Sequence, residues 1–297
     1  MRVFVTGGSG GVGSVVVAEL IAAGHEVLGL ARSEASADLV AGLGAEVLRG
    51  DVTDVECLTS GARQTDGVIH LAFGNDFENF ERCVAEEARA VATFGAALEG
   101  SGKPFVIASG TPAVPGRAST EEDPWPTEGP VAGRGRNARA VLDLAGRNVR
   151  SAVVRLPRSV HAGGGPFGFA SILIAAARRS GVSGYVGDGS QRWPAVHRLD
   201  AARLFRIVLE DGAPGTIAHA VADEGDTMRD IADAIGSQLG LPVEAMRSDN
   251  FGFLGAVFAV DQPSSSALTR ERFDWRPMHP SLLEDLRAGD WAGDYRG

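Results

Sequence analysis

Lysine is nearly missing from this chain: its 297 residues include 28 basic side chains, and Lys103 is the one lysine among them. Tyrosine is almost as scarce, standing only at Tyr185 and Tyr295. The two cysteines, Cys57 and Cys83, lack CxxC spacing, which excludes a disulfide framework and gives a metal site no support. A formal net charge of −10 leaves no cationic surplus to displace counterions, so a nucleic-acid partner is not expected. No apolar run reaches the length of a bilayer span. The best candidate, Phe167–Ala177, breaks at Arg178-Arg179, so no membrane association is expected. The first residues enter a strand pattern with no apolar leader or cleavage site, which points to the cytoplasm.

What is abundant is glycine, 40 residues unevenly placed, within an ordinary 44% hydrophobic and 22% charged composition that excludes a wholly disordered chain. The first half alternates short apolar runs with amphipathic stretches. Strands are predicted at Arg2–Thr6, Glu26–Leu30, Ala45–Leu48, Gly67–Ala72, Pro104–Ala108 and Arg150–Leu156. Helices are predicted over Val12–Ala23, from Ser33, after Asp54, over Phe77–Leu98 and over Arg136–Ala145. Buried strands separated by helices imply right-handed βαβ units and a parallel sheet covered on both faces. The expected fold is α/β: a Rossmann-type doubly wound sheet over residues 1–157, with residues 158–297 forming a smaller, mainly substrate-binding region packed against it.

The later rhythm is less regular. Helices are predicted over Ser171–Arg179, over Ala201–Leu209 with Asp200 as cap, and over Thr227–Leu239. The proline-rich, acidic segment 113–130 reads either as a ligand-side loop or as a solvated excursion.

The glycine cluster Thr6-Gly7-Gly8-Ser9-Gly10-Gly11-Val12-Gly13 joins the first strand to the first helix. Gly7 permits the tight turn, Gly10 lets a pyrophosphate approach the backbone, and Gly13 lets helix and strand pack closely. The helix N-terminus then offers free N–H groups to the phosphates, with Ser9, Gly11 and Val12 in the same turn. The second strand ends in Arg32-Ser33 where an acid would meet a free ribose 2′-hydroxyl. Arg32 can pair with a 2′-phosphate and Ser33 can add a hydrogen bond, so NADP is favoured over NAD. Asp51-Val52 is placed to meet the adenine, and Leu71-Ala72-Phe73 to flank the cofactor.

With the later segments Gly50-Asp51-Val52, Ile69–Ala72, Val106–Ser109, Val154–Pro157 and Val196–Asp200, these residues resemble the extended short-chain dehydrogenase/reductases of the NAD(P)-dependent epimerase/dehydratase family. The resemblance covers most of the chain. It implies that Pro157 lines the cofactor and that Ser109, with Thr111 close by, holds a substrate oxygen. It also implies a Tyr and a Lys four residues apart on the helix after the fifth strand, where tyrosine moves the proton and lysine lowers its pKa. This chain has no such pair. Counting back from Arg155 places Gly133 and Asn137 near those positions, and no slip of register supplies a tyrosine.

His161 and His197 are the candidates to replace it as acid or base, while His197 could instead brace its strand through Asp200. His70 reads as packed. Arg134, Arg136 and Arg139 could hold the ribose or an anionic substrate, or simply form an exposed helix face. Phe73, Trp193 and Trp125 could stack on a flat substrate or lie in the core. The leading reading is an NAD(P)-dependent oxidoreductase acting on a small carbonyl, alcohol or quinone-like substrate, its partner a small molecule, with a homodimer left open. The alternatives are a monooxygenase or quinone-modifying tailoring enzyme of aromatic polyketide biosynthesis on the same scaffold, and a non-catalytic NADP sensor.

Overall fold

The computed structural model describes residues 1–74, 79–129 and 131–291, apart from the side chain of Phe253. Its first half runs β1 (Arg2–Thr6), α1 (Gly13–Ala22), β2 (Glu26–Ala31), α2 (Glu34–Gly42), β3 (Glu46–Arg49), α3 (Val55–Arg63), β4 (Gly67–His70), α4 (Phe80–Leu98), β5 (Pro104–Gly110), α5 (Ala132–Asp143) and β6 (Arg150–Leu156). The chain continues through β7 (Ser159–His161), α6 (Phe169–Ser180), β8 (Ser183–Val186), β9 (Arg192–His197), α7 (Arg198–Asp211) and β10 (Thr216–His219). It ends with β11 (Asp223–Thr227), α8 (Met228–Leu239), β12 (Val243–Met246) and α9 (Gly255–Phe258), then α10 (Ala267–Phe273) and α11 (Leu282–Ala288).

Residues gather into two compact units. One comprises Met1–Ser109, Pro124–Arg155 and Ala202–Ala218; the other comprises Gly110–Asp123, Leu156–Ala201 and His219–Gly297. The first unit carries a seven-stranded sheet in the order β10-β6-β5-β4-β1-β2-β3. The registers β2–β3, β1–β2, β1–β4 and β4–β5 are parallel. Every residue of β4 and all but the first of β1 are buried, the pattern of strands covered on both faces. This is the Rossmann-type doubly wound fold. The strand order reverses beside β1, and such reversals open a crevice at the carboxyl ends of the strands.

Phe4, Leu28, Leu58, Val68, Phe94, Phe105, Ile107 and Val153 form the core of this unit. Each fully enclosed side chain of this size contributes about 1.5–3 kcal/mol relative to exposure. The second unit has its own core of Phe167, Trp193, Met228, Ile231, Phe258, Leu282 and Trp291. It holds the sheet β11-β9-β7 and the pair β12-β8.

Several boundaries differ from the sequence-based expectation. The helix predicted from Arg136 begins four residues earlier, at Ala132, because the small residues Gly133 and Gly135 fit under Val84 and Trp125. The predicted helix start at Phe77 lies outside the described residues, and α4 is helical from Phe80. Asp200 does not cap a helix beginning at Ala201. It sits inside the first turn of α7, where its carboxylate accepts from the Met278 and His279 amides at 3.0 and 3.1 Å. Thr227 does cap α8, accepting from the Asp230 amide at 3.1 Å. Residues 113–123 of the proline-rich segment are tied down within the second unit. Arg117 grips Asp123 through two hydrogen bonds of 2.7 and 2.6 Å, and the Thr269 amide donates to buried Glu121 at 2.8 Å.

Candidate functional site

The glycine turn after β1 has the geometry that its spacing predicts. Gly7 adopts φ +74°, and a Cβ there would lie 2.7 Å from the Ala72 amide nitrogen. A Cβ on Gly13 would lie 2.0 Å from the Gly7 carbonyl oxygen, so only glycine lets α1 pass this close. At Gly10 the nearest obstacle to a Cβ is the same carbonyl at 3.3 Å, and the residue faces outward. Ser9, Gly11 and Val12 complete the turn, and α1 starts at Gly13 with Val12 at its N-cap and no side-chain cap. No side chain therefore covers this end of the helix, although the Ser14 amide already bonds to the Gly10 carbonyl at 2.9 Å.

Around this turn lie the ends of β2, β3 and β4. Arg32 is exposed. The Ser33 hydroxyl is already engaged: it caps α2, accepting from the Ser36 amide at 3.2 Å and lying 2.6 Å from the Ser36 hydroxyl. Asp51 accepts from the Thr53 amide at 2.9 Å. That bond, the Thr53 hydroxyl and nearby Arg32 hold its carboxyl below the usual range despite partial burial. Val52 packs on the core, and Leu71, Ala72 and Phe73 are half-buried at the end of β4.

Gly133 and Asn137, the residues counted nearest to the expected Tyr and Lys positions, face α4. Gly133 packs against α4, where an added Cβ would meet Val84 at 2.6 Å. Asn137 is buried on the same face and donates to the Val84 carbonyl at 3.0 Å and to Glu87 at 2.9 Å. Arg134 instead reaches the carboxyl ends of β4 and β5. It donates to the Ala108 carbonyl at 2.7 Å, pairs with Glu87 at 3.0 Å, and lays its guanidinium carbon 4.0 Å from the Phe73 ring centre. Burial pushes the Glu87 carboxyl up, and Arg134 and Asn137 oppose that shift. Arg136 and Arg139 are exposed, the plain helix face.

Next along β5, Ser109 is 4% exposed and its hydroxyl has no partner among the described residues. His70 lies 2.6 Å from the Thr6 hydroxyl. Burial first, then Arg134, lowers its pKa to about 3, so the ring is neutral.

The second unit holds the remaining candidates. Thr111 is buried and receives Gln262, which donates to its carbonyl and, at 3.4 Å, to its hydroxyl. Pro157 is buried just after β6. His161 is fully enclosed, with Nδ1 2.7 Å from Asp285; burial still lowers its pKa against that partner. His197 is held down to about 4 by burial and by the rings of His161 and His279. Its expected partner Asp200 bonds instead to His279, at 2.9 Å, and His279 stacks on His197 at 4.7 Å. Trp193 is fully enclosed, 5.0 Å from Phe258, so its ring has no face for a substrate. Trp125 is likewise covered, with Arg155 3.7 Å above it in the first unit.

Sequence reasoning missed Asp285 and His279 because nothing near them in the chain marks them. The side on which Arg134 would emerge depended on where α5 starts. Among the described residues no group of three His, Cys, Asp or Glu side chains could hold a metal ion, and no helix is long and apolar enough to cross a membrane.

A doubly wound sheet with a glycine turn at its switch point defines the class of dinucleotide-binding folds. Residues 3–221 match the NAD dependent epimerase/dehydratase family, and the chain belongs to it. It is 43% identical over 295 residues to the uncharacterized protein YLL056C of Saccharomyces cerevisiae, covering 97% of this chain and 98% of that one. The uncharacterized protein C2A9.02 of Schizosaccharomyces pombe is 41% identical, over 96% of this chain and 98% of its own length. Among solved structures, the dTDP-glucose 4,6-dehydratase DesIV from Streptomyces venezuelae, with NAD bound, superposes with a TM-score of 0.78. It shares 20% identity over 98% of this chain and 96% of that one.

Proposed function

We propose that this chain is an NAD(P)-dependent oxidoreductase that acts on a small carbonyl or quinone-like substrate, with NADP favoured over NAD. The observation that carries the reading is the Ser109 hydroxyl, buried without a partner among the described residues at the carboxyl end of β5. A buried hydroxyl left unsatisfied costs about 1–3 kcal/mol, so it calls for a ligand oxygen. The glycine turn fits a dinucleotide, because a Cβ at Gly7 or Gly13 would collide with backbone and no side chain caps α1. The NAD bound in the dehydratase of the same fold supports this assignment.

Arg32 carries the NADP preference, since no carboxylate ends β2 and the Ser33 hydroxyl is occupied by its helix cap. When bound, the nicotinamide supplies or accepts a hydride. Ser109 positions the substrate oxygen, and the half-buried Leu71-Ala72-Phe73 segment keeps water from one side. Asp51 and Val52 meet the adenine end. His161 is not assigned the proton: its ring is enclosed and its Nδ1 is committed to Asp285.

The test is a titration with NADPH and NADH followed by a panel of quinones and aldehydes. Tight NADPH binding with steady consumption supports the reading, and binding without turnover favours the cofactor-sensor alternative.

A further inference from the structure

We propose that Arg134 is the electrophilic group of this site and that the preferred substrates are quinones, whose reduction leaves charge on an oxygen that a guanidinium can hold. The proposal rests on the oxidoreductase reading above and names its substrate class.

Four observations converge. Arg134 occupies the ends of β4 and β5, through Ala108 and Phe73, while the face carrying Gly133 and Asn137 is spent on α4. Its Nε is buried with no partner among the described residues, as is the Ser109 hydroxyl one residue beyond Ala108. Glu87 balances its charge at 3.0 Å and is itself fixed by Asn137 at 2.9 Å, so the fork is locked before any ligand arrives. Finally, the titratable groups beside it in this unit are poorly placed to act as acids: burial and Arg134 hold His70 neutral, and the Glu87 carboxyl oxygens are spent on Arg134 and Asn137. A guanidinium does not release its proton at all.

A site that holds negative charge but donates no proton suits one class of acceptor. Reduction of an aldehyde or ketone leaves an alkoxide, which is strongly basic and needs a proton during the step. A quinone takes up the hydride that a bound dihydronicotinamide supplies, and its electrons rearrange to the aromatic hydroquinone anion. That anion is a phenolate, with a basicity near that of tyrosinate (pKa about 10). Its charged oxygen rests at Arg134 and then takes one proton from water to complete the hydroquinone. The Arg134–Glu87 pair is neutral overall, which admits an uncharged quinone and gives no premium to an anionic substrate.

The experiment measures kcat/KM of the wild-type protein with NADPH for menadione, hexanal and cyclohexanone, corrected for the uncatalysed quinone reaction. Menadione is expected to lead by about 100-fold or more, the scale of one oxyanion donor. Arg134→Met is expected to lower the menadione value by about 100- to 1,000-fold, with NADPH binding by fluorescence little changed. Because that change strands the Glu87 carboxylate, Arg134→Lys is measured beside it, keeping the charge but not the fork; a loss of about 10-fold or more is expected. Hexanal or cyclohexanone equalling menadione overturns the substrate class while leaving the oxidoreductase reading in place. A wild-type menadione rate in either folded variant overturns the role of Arg134. NADPH binding with none of the three reduced overturns both readings together.

Discussion

The backbone of Gly13 passes so close to Gly7 that a Cβ on Gly13 would lie 2.0 Å from the Gly7 carbonyl oxygen. Gly10, three residues earlier, would place a Cβ 3.3 Å from the same atom, a tight contact that a shift of a few tenths of an ångström relieves. The two glycines therefore separate folding from binding. Gly13→Ala should destabilise the protein by about 1–3 kcal/mol through overpacking, read as a lowered denaturant midpoint. Gly10→Val should lower the midpoint less than Gly13→Ala does and abolish NADPH binding, because its side chain fills the pyrophosphate's place. Loss of stability without loss of binding in Gly10→Val would remove the cradle assignment.

Arg32→Asp should weaken NADPH binding by about 10-fold or more, the scale of one charge-assisted contact of roughly 1.5–3 kcal/mol, and spare NADH. Calorimetric titration with both nucleotides checks it. Equal weakening of the two would take the 2′-phosphate away from Arg32.

Ser109→Ala distinguishes a functional hydroxyl from a structural one. Its hydroxyl is buried without a partner among the described residues, so removing it should leave stability equal or raise it by about 1 kcal/mol. Turnover should fall by about 10- to 100-fold through loss of an oxygen contact. A variant that melts early and keeps its rate would reverse the assignment.

Stability should fall on acidification. His70 titrates near 3 and His197 near 4 in the folded protein, both below the ordinary value of 6.5. Below about pH 6.5 the unfolded chain binds protons that the folded chain refuses, at about 1.4 kcal/mol per pH unit for each such histidine. Their contribution is intact above that pH and is lost as pH falls toward the folded values. Asp226, raised to about 6 by burial and by Asp223, acts in the opposite sense and offsets part of the loss. Denaturant midpoints measured between pH 7.5 and 5 should show a shallower decline in His70→Gln than in wild type. Parallel declines would mean that His70 accepts a proton while folded.

Much of the first unit was legible because its signals are local. Val3, Phe4 and Val5 followed by Gly7 can be little else than a buried strand entering a tight turn, and Asp54 caps its helix, as its position implies. The departures come from groups distant in sequence. Asp200 reads as a cap, yet it is claimed by the amides of Met278 and His279, far along the chain. Trp193 reads as a stacking surface until Phe258 covers it. That no tyrosine and lysine stand four residues apart, as the family resemblance implies, is read from the one lysine and two tyrosines of the sequence. That a guanidinium stands at the strand ends is not so read, because it depends on Gly133 fitting beneath Val84 and so turning Arg134 toward Ala108.

The central claim is that this fold uses a nicotinamide dinucleotide as a reactant. The most direct measurement follows the near-ultraviolet absorbance of NADPH in the presence of catalytic amounts of protein and a quinone acceptor, with product quantified in parallel. The account predicts steady consumption of one NADPH per hydroquinone formed, slower with NADH and lost in Gly10→Val. Tight NADPH binding with no consumption above the buffer rate would contradict it.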